Sequence, residues 1–266
     1  MHVLELQGAG VKVAGETLLQ GVDWQVDYGD HWAVLGPNGA GKTTLMSLAA
    51  AVRHPSEGTV KVLGHRLGRV DVRELRRHIG LVASSQRLVD EELMEEEGAT
   101  AQTVVLTGHT GTSVPLWDKY GDAEHDRAHR LLADLGCKEL AERPFRVCSQ
   151  GERARIRVAR ALMPEPAVLL LDEPFAGLDL PAREDLVSAV EHLATVRPVL
   201  TTVTVTHHLE EVPATTTHAL LMRDARVLAG GPAEDVLTSR LLSECFGRPL
   251  QVDRIDGRWY ARAARS

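Results

Sequence analysis

Residues 31–52 constrain the fold of this chain more than any other stretch. An apolar run, His31-Trp32-Ala33-Val34-Leu35, stops at Gly36-Pro37-Asn38-Gly39-Ala40-Gly41-Lys42-Thr43, and residues 42–52 then carry helical character. The middle segment fits G-x-x-x-x-G-K-[ST], with the preceding strand and following helix that this pattern needs in order to act on phosphate. Its glycines let the backbone curl so that successive N–H groups point inward, while the helix N-terminus adds partial positive charge. Lys42 brings a point charge to the β- and γ-phosphates, and Thr43 brings a hydroxyl to Mg²⁺. A glycine-rich turn with an incidental lysine would explain neither flank.

Short apolar runs recur at 59–63, 79–83, 167–171 and 199–206, separated by helical patterns such as 181–196. This alternation predicts an α/β fold: a mostly parallel sheet with helices on both faces. With 266 residues and 44% hydrophobic content, one core with a subordinate lobe is expected. Strand signal fades between residues 90 and 148. Residues 102–107 and 123–135 look helical around a Gly/Thr-rich loop at 107–113, so a helical insertion into the sheet domain is expected. It opens with Asp90-Glu91-Glu92 and Glu95-Glu96-Glu97, either a solvated helix start or a partner-docking patch. From Ala233 onward come short helical patterns and then, over 251–263, a small hairpin signalled by Asp256-Gly257.

Two strand ends carry further chemistry. Val168-Leu169-Leu170-Leu171-Asp172 reads as a fully buried strand delivering Asp172 to the carboxyl edge of the sheet, where it can hold the Mg²⁺ shell through water. Glu173 follows, placed to orient and deprotonate a water attacking a γ-phosphate. Two adjacent acids at a strand end could instead be ordinary cap residues, a reading that the phosphate loop upstream makes the weaker one. Val203-Thr204-Val205-Thr206 ends at His207, which faces the same crevice and can donate to a γ-phosphate oxygen or hold the attacking water. His208 reads as the start of the next helix, with Glu210 and Glu211.

Composition narrows the partners. Thirty basic against 37 acidic residues give a net charge of −7 with no long Lys/Arg block, which disfavours nucleic acid. Three cysteines, Cys137, Cys148 and Cys245, are odd in number and lack Cys-x-x-Cys spacing, so neither a disulfide nor structural zinc is expected and a reducing compartment is. No signal-peptide pattern and no run of eighteen apolar residues is visible, so a cytoplasmic protein reaching a membrane only through a partner is expected.

Between the phosphate loop and Asp172 lies Cys148-Ser149-Gln150-Gly151-Glu152. Ser149 and Glu152 are spaced as a capping box, which leaves Gly151 unexplained because glycine weakens a helix start. A bare helix N-terminus with a serine and a small residue is an anion site. At the tip of the helical insertion it lies away from its own phosphate loop, so it would serve the γ-phosphate of a second copy.

In this order the elements resemble the ATP-binding cassette (ABC) ATPases, over about residues 3–231. Gly36 to Thr44 is similar to Walker A, Gln86 to the Q-loop glutamine, Ser149, Gln150, Gly151 and Glu152 to the signature, Asp172 with Glu173 to Walker B and its catalytic base, Gly177-Leu178-Asp179 to the D-loop, and His207 to the switch histidine. The resemblance implies a P-loop NTPase core with an N-terminal antiparallel β-subdomain, a helical subdomain at about 90–150, a nucleotide-binding domain over 1–232 and a C-terminal extension over 233–266. It implies ATP and Mg²⁺ as cofactors, Thr43, Gln86 and Asp172 around the metal, and Asp179 at the nucleotide interface. It also implies head-to-tail dimers sandwiching two ATP molecules, each between one chain's Walker A and the other's Ser149 and Gly151. The signature departs from Leu-Ser-Gly-Gly-Gln at its first, third and fifth positions but keeps Ser149 and Gly151. Where the family stacks an aromatic ring on adenine stands Val13, with no aromatic residue before Gly21.

Two functions follow from the resemblance. One is the ATPase subunit of a transporter that energises a separate integral membrane permease, peripheral on the inner face of the plasma membrane, with Gln86 and the acids after it in the groove that receives the permease. Residues 104–108 and Cys245-Phe246-Gly247 look similar to importer ATPases for metal chelates, vitamin B12 and molybdate. The other is a soluble ABC ATPase of stress, repair or translation; such proteins carry two cassettes or a long coiled coil, and this chain shows one cassette and no heptads. A P-loop kinase or GTPase would have no use for Ser149 to Glu152 or His207.

Overall fold

The apolar runs sort into two large sheets in a computed structural model that describes residues 2–83, 98–113, 115–116 and 119–264. In the N-terminal sheet, β1 (His2–Val13) and β2 (Glu16–Asp27) pair antiparallel. β3 (His31–Leu35) crosses into the second sheet, while β4 (Glu57–Val62) returns antiparallel to β1 with β5 (His65–Arg66) at its edge. The second sheet adds β6 (Ile79–Ala83), β7 (Val168–Asp172), β8 (Thr201–Thr206), β9 (His218–Arg223) and β10 (Arg226–Pro232), in spatial order β10-β9-β3-β8-β7-β6. Its pairings are parallel except for the β9–β10 edge. The expected parallel core and antiparallel N-terminal sheet are both present.

Two-sided burial explains why β7 reads as an unbroken apolar run rather than an alternating one. Val168 and Leu170 join one core with Leu45, Met46 and Leu48 of α1 (Lys42–Ala49) and the N-terminal sheet. Leu169 and Leu171 point to the opposite face and the helical layer, as the two-residue period of a strand requires. After the short α2 (Val72–Arg76), that layer holds α3 (Ala101–Thr110), α4 (Asp122–Asp134), α5 (Gln150–Leu162) and α6 (Leu180–Val196). Val104, Leu106, Leu131, Phe145, Ile156 and Leu193 close its core.

Three sequence expectations need correction. The run at 59–63 is not in the parallel sheet: it is β4, paired antiparallel with β1. An apolar run of five residues carries its own period but not the identity of its partner. The loop expected at 107–113 begins later, because α3 continues to Thr110 and stops at Gly111 in the left-handed region, φ 70°. Inside the helix the Thr107 and Thr110 hydroxyls are satisfied by donating to Val104 O and Thr107 O. His208 begins only a 3₁₀ turn, Leu209–Glu211, since Pro213 holds Val212 extended and ends it. Gln86 and the acidic run at 90–97 lie outside the described residues.

The C-terminal stretch folds back against the carboxyl edge of the parallel sheet. It comprises α7 (Ala233–Val236), α8 (Ser239–Phe246) and the hairpin β11 (Leu250–Ile255) and β12 (Arg258–Ala263). Asp256 and Gly257 turn that hairpin with φ of 50° and 83°, the paired left-handed conformation of a tight two-residue loop. Trp259 buries itself in a third core with Leu35, Leu209, Leu221 and Leu242. Among the described residues, no helix is long and apolar enough to cross a membrane.

Candidate functional site

Sheet order builds the first half of the site. β8 lies between β3 and β7, with Leu35 level with Thr206 and Asp172 level with Val205. The residues immediately beyond these strand ends, Gly36, Glu173 and His207, therefore emerge side by side at one carboxyl edge, where open parallel sheets bind ligands.

Gly41 ends the loop and caps α1 in the left-handed region, φ 95°. A Cβ there would lie 2.8 Å from Leu18 O and 3.3 Å from Leu19 Cδ1, so only glycine lets the helix start this close to β2. Lys42 is buried, its ammonium donating to Gly36 O at 2.7 Å and Pro37 O at 3.1 Å and lying 3.8 Å from Glu173 Oε1. Burial pulls the Lys42 pKa below its ordinary value, and the Glu173 carboxylate opposes that shift. With the loop's own carbonyls as acceptors, the lysine is held inside the ring of backbone that a phosphate would enter.

Asp172 is 4% exposed at the end of β7. Burial raises its pKa above the ordinary carboxylate value, and a hydrogen bond from the Thr43 hydroxyl works against this. Its Oδ1 is buried with no hydrogen-bond partner among the described residues. An orphaned carboxylate oxygen beside a hydroxyl is a donor set suited to a hard divalent cation. Glu173 adopts a left-handed backbone, φ 53°, fixed by its N–H to Val205 O at 3.1 Å. That conformation is strained for a residue with a Cβ. It aims the carboxylate at His207, whose Nδ1 is 2.9 Å from Oε2 and 3.1 Å from Oε1.

The second half lies elsewhere. Ser149 caps α5, accepting from Glu152 N at 3.2 Å, while Glu152 Oε2 accepts from Ser149 N at 2.7 Å. That backbone bond, with Arg143 3.1 Å away, holds the Glu152 carboxyl below its ordinary pKa. The capping box is thus real. Gly151, which the box alone leaves unexplained, has a packing reason as well, because a Cβ there would sit 2.5 Å from Ala182 Cβ of α6. Asp179 caps α6 by accepting from Ala182 N at 3.0 Å. Ser149, Gln150, Gly151, Gly177, Leu178 and Asp179, with Ala182, line one open cavity of about 290 Å³. No residue of 36–44 lines it, so the structure brings the signature and D-loop residues together and does not bring them to the phosphate loop of the same chain.

Sequence reasoning missed Thr206 and Glu211. Glu211 is 5% exposed, and its Oε2 accepts from the Thr206 hydroxyl directly behind His207. A buried glutamate inside a polar Glu-Glu pair has no signature in the sequence. Val13, at the β1–β2 turn, is 42% exposed.

Comparison with known proteins identifies the family. The ABC transporter family profile matches residues 19–176. A putative ABC transporter ATP-binding protein of Streptococcus mutans is 35% identical over 258 residues, covering 96% of each chain. The hemin import ATP-binding protein of Streptomyces coelicolor is 34% identical over 247 residues, covering 92% of this chain and 83% of its own. The structure of a putative metal-chelate type ABC transporter, in an inward-facing conformation, is similar with a TM-score of 0.76 at 25% identity, covering 98% of this chain and 96% of that one. The chain belongs to the ABC transporter family, as one of its ATPases.

Proposed function

We propose that this chain is the ATP-hydrolysing subunit of an importer, acting as a head-to-tail pair of copies that energises a separate membrane permease. One observation carries the reading: the phosphate loop with Asp172, Glu173 and His207 forms one half-site, while Ser149, Gly151 and Asp179 form another that no residue of 36–44 lines. Neither half is a complete ATP site, and a second copy of the same chain supplies the missing half to each. The same reading divides the chain into a nucleotide-binding unit through residue 232, with its helical insertion at about 90–150, and a C-terminal extension over 233–266.

In this mechanism the backbone of 36–44 and the Lys42 ammonium hold the β- and γ-phosphates. Thr43 and Asp172 would hold Mg²⁺, together with Gln86, which lies outside the described residues. The chemistry that such a metal would supply there is neutralisation of the charge developing on the phosphate oxygens. Glu173 accepts a proton from water as the water oxygen bonds to the γ-phosphorus and the bond to the β-phosphate bridging oxygen breaks. His207 keeps the Glu173 carboxylate aimed. Ser149 and Gly151 of the other copy receive the γ-phosphate at the N-terminus of α5. The hemin import relative and the metal-chelate type neighbour support import of a chelated metal or related compound, with the chain peripheral on the cytoplasmic face of the membrane.

Glu173→Gln removes the proton acceptor and keeps the shape, so this variant is expected to bind ATP, hydrolyse it poorly and accumulate as a closed dimer. Affinity purification of that variant from its native cells with ATP present is expected to bring down a multispanning membrane protein. Recovery of the chain alone, or with ribosomes or repair factors, would refute the transporter reading.

A further inference from the structure

We infer that Arg258 of the C-terminal hairpin is a positioning residue for hydrolysis, clamping the segment that carries His207 onto α6. The inference rests on the proposed function, since it concerns what His207 does there.

The Arg258 guanidinium, 16% exposed, reaches across three elements. It pairs with Glu184 of α6 through both arms, and its Nη2 also donates to Glu210 O in the 3₁₀ turn that follows His208. The planar fork of arginine suits this three-way bridge, which a lysine's point charge would satisfy only in part. Glu210 is also 3.8 Å from Arg183, and Glu191 Oε1 accepts from Ala214 N at 2.7 Å. The turn after His207 is therefore fixed to α6 at Arg183, Glu184 and Glu191, and Arg258 is the tie supplied from outside the nucleotide-binding unit. Trp259, the next residue, is 3% exposed and packs with Leu209. The hairpin cannot slide without moving that turn.

The placement of Glu184 gives the clamp its functional weight. It lies in the second turn of α6, the helix that Asp179 caps at the mouth of the signature cavity. Arg258 thus joins the helix leading from one half-site to the segment carrying the histidine of the other. Around His207 the packing is not continuous: an open cavity of about 270 Å³ lies between His207, His208 and Leu209 on one side and Leu242, Phe246 and Leu250 on the other. Beside that space the turn is held by its polar ties together with the burial of Leu209 and Val212.

The test uses the full chain, with Arg258→Met, Arg258→Lys and Glu184→Gln, and reads steady-state ATP hydrolysis together with the ¹⁵N signals of the His207 ring in the nucleotide-free protein. Arg258→Met is expected to lower kcat about tenfold with KM for ATP held within about twofold, because the phosphate loop is untouched. Its His207 ring signals are expected to move away from those of the wild type. Arg258→Lys should recover part of both effects, and Glu184→Gln should move both in the same direction if Arg258→Met fails to fold. Unmoved His207 signals with unchanged kcat overturn the inference, whatever happens to the melting temperature. His207→Ala separates this from failure of the underlying reading: if that variant still turns over normally, the assigned role of His207 fails, and the ring signals alone decide the clamp.

Discussion

Gly151→Ala is the substitution whose consequence can be worked most directly from the geometry. Its new Cβ would lie 2.5 Å from Ala182 Cβ, and ordinary contact begins near 3.4 Å, so the starts of α5 and α6 must separate by 0.9 Å. Forcing a methyl into such a contact costs about 1–3 kcal/mol. The better helix propensity of alanine offsets roughly 0.5–1 kcal/mol, leaving a net loss of about 0–2.5 kcal/mol. Ala182→Gly removes the obstructing methyl, after which the nearest atom is Ala182 Cα at 3.4 Å. By itself that change costs about 1 kcal/mol of helix propensity. Urea denaturation of the four chains of the double-mutant cycle is expected to show a favourable interaction of about 1–3 kcal/mol between the substitutions, the double mutant lying near the wild type. Additivity within about 0.5 kcal/mol would refute the claim that Gly151 is required by the approach of α6. The cycle also separates packing from phosphate contact: hydrolysis that stays low in the stable double mutant means Gly151 serves the nucleotide as well.

Lys42→Ala should abolish nucleotide binding as measured by fluorescent ATP titration, since it removes the cation held inside the loop; retained affinity would contradict the phosphate-loop assignment. Glu211→Gln should stabilise the chain at neutral pH. Burial raises the Glu211 pKa in the folded chain above 4.5 despite the Thr206 hydroxyl and the nearby His208 and His207, with Glu173 adding to the rise. As pH rises through 4.5 the unfolded chain ionises first, so the wild type loses stability that the amide variant keeps. The difference in melting temperature between the two should therefore shrink as pH falls toward 4.5, and a difference independent of pH would refute the assignment.

Much of the fold was legible because its elements carry local periods. The phosphate loop announced itself through glycines flanked by a strand and a helix, β7 through two-sided burial, and the terminal hairpin through Asp256-Gly257. Partners were not legible in the same way: the run at 59–63 has a strand's pattern in either sheet, and the β9 and β10 edge went unread. Chain order suggested that Glu173 and His207 share a crevice. Their hydrogen bond and the strained φ of Glu173 depend on β8 lying between β3 and β7, which no local pattern encodes.

By itself the sequence determined the chemistry of this protein, because phosphate binding, proton abstraction and helix capping each need particular side chains at fixed short spacings. Only the tertiary structure decided that Ser149 and Gly151 share a cavity with Gly177 to Asp179, that Gly151 is fixed by Ala182 thirty-one positions away, and that Arg258 grips the turn after His207. Contacts between residues so far apart in the chain arise from the packing of whole elements, and a spacing of three or four residues carries no trace of them.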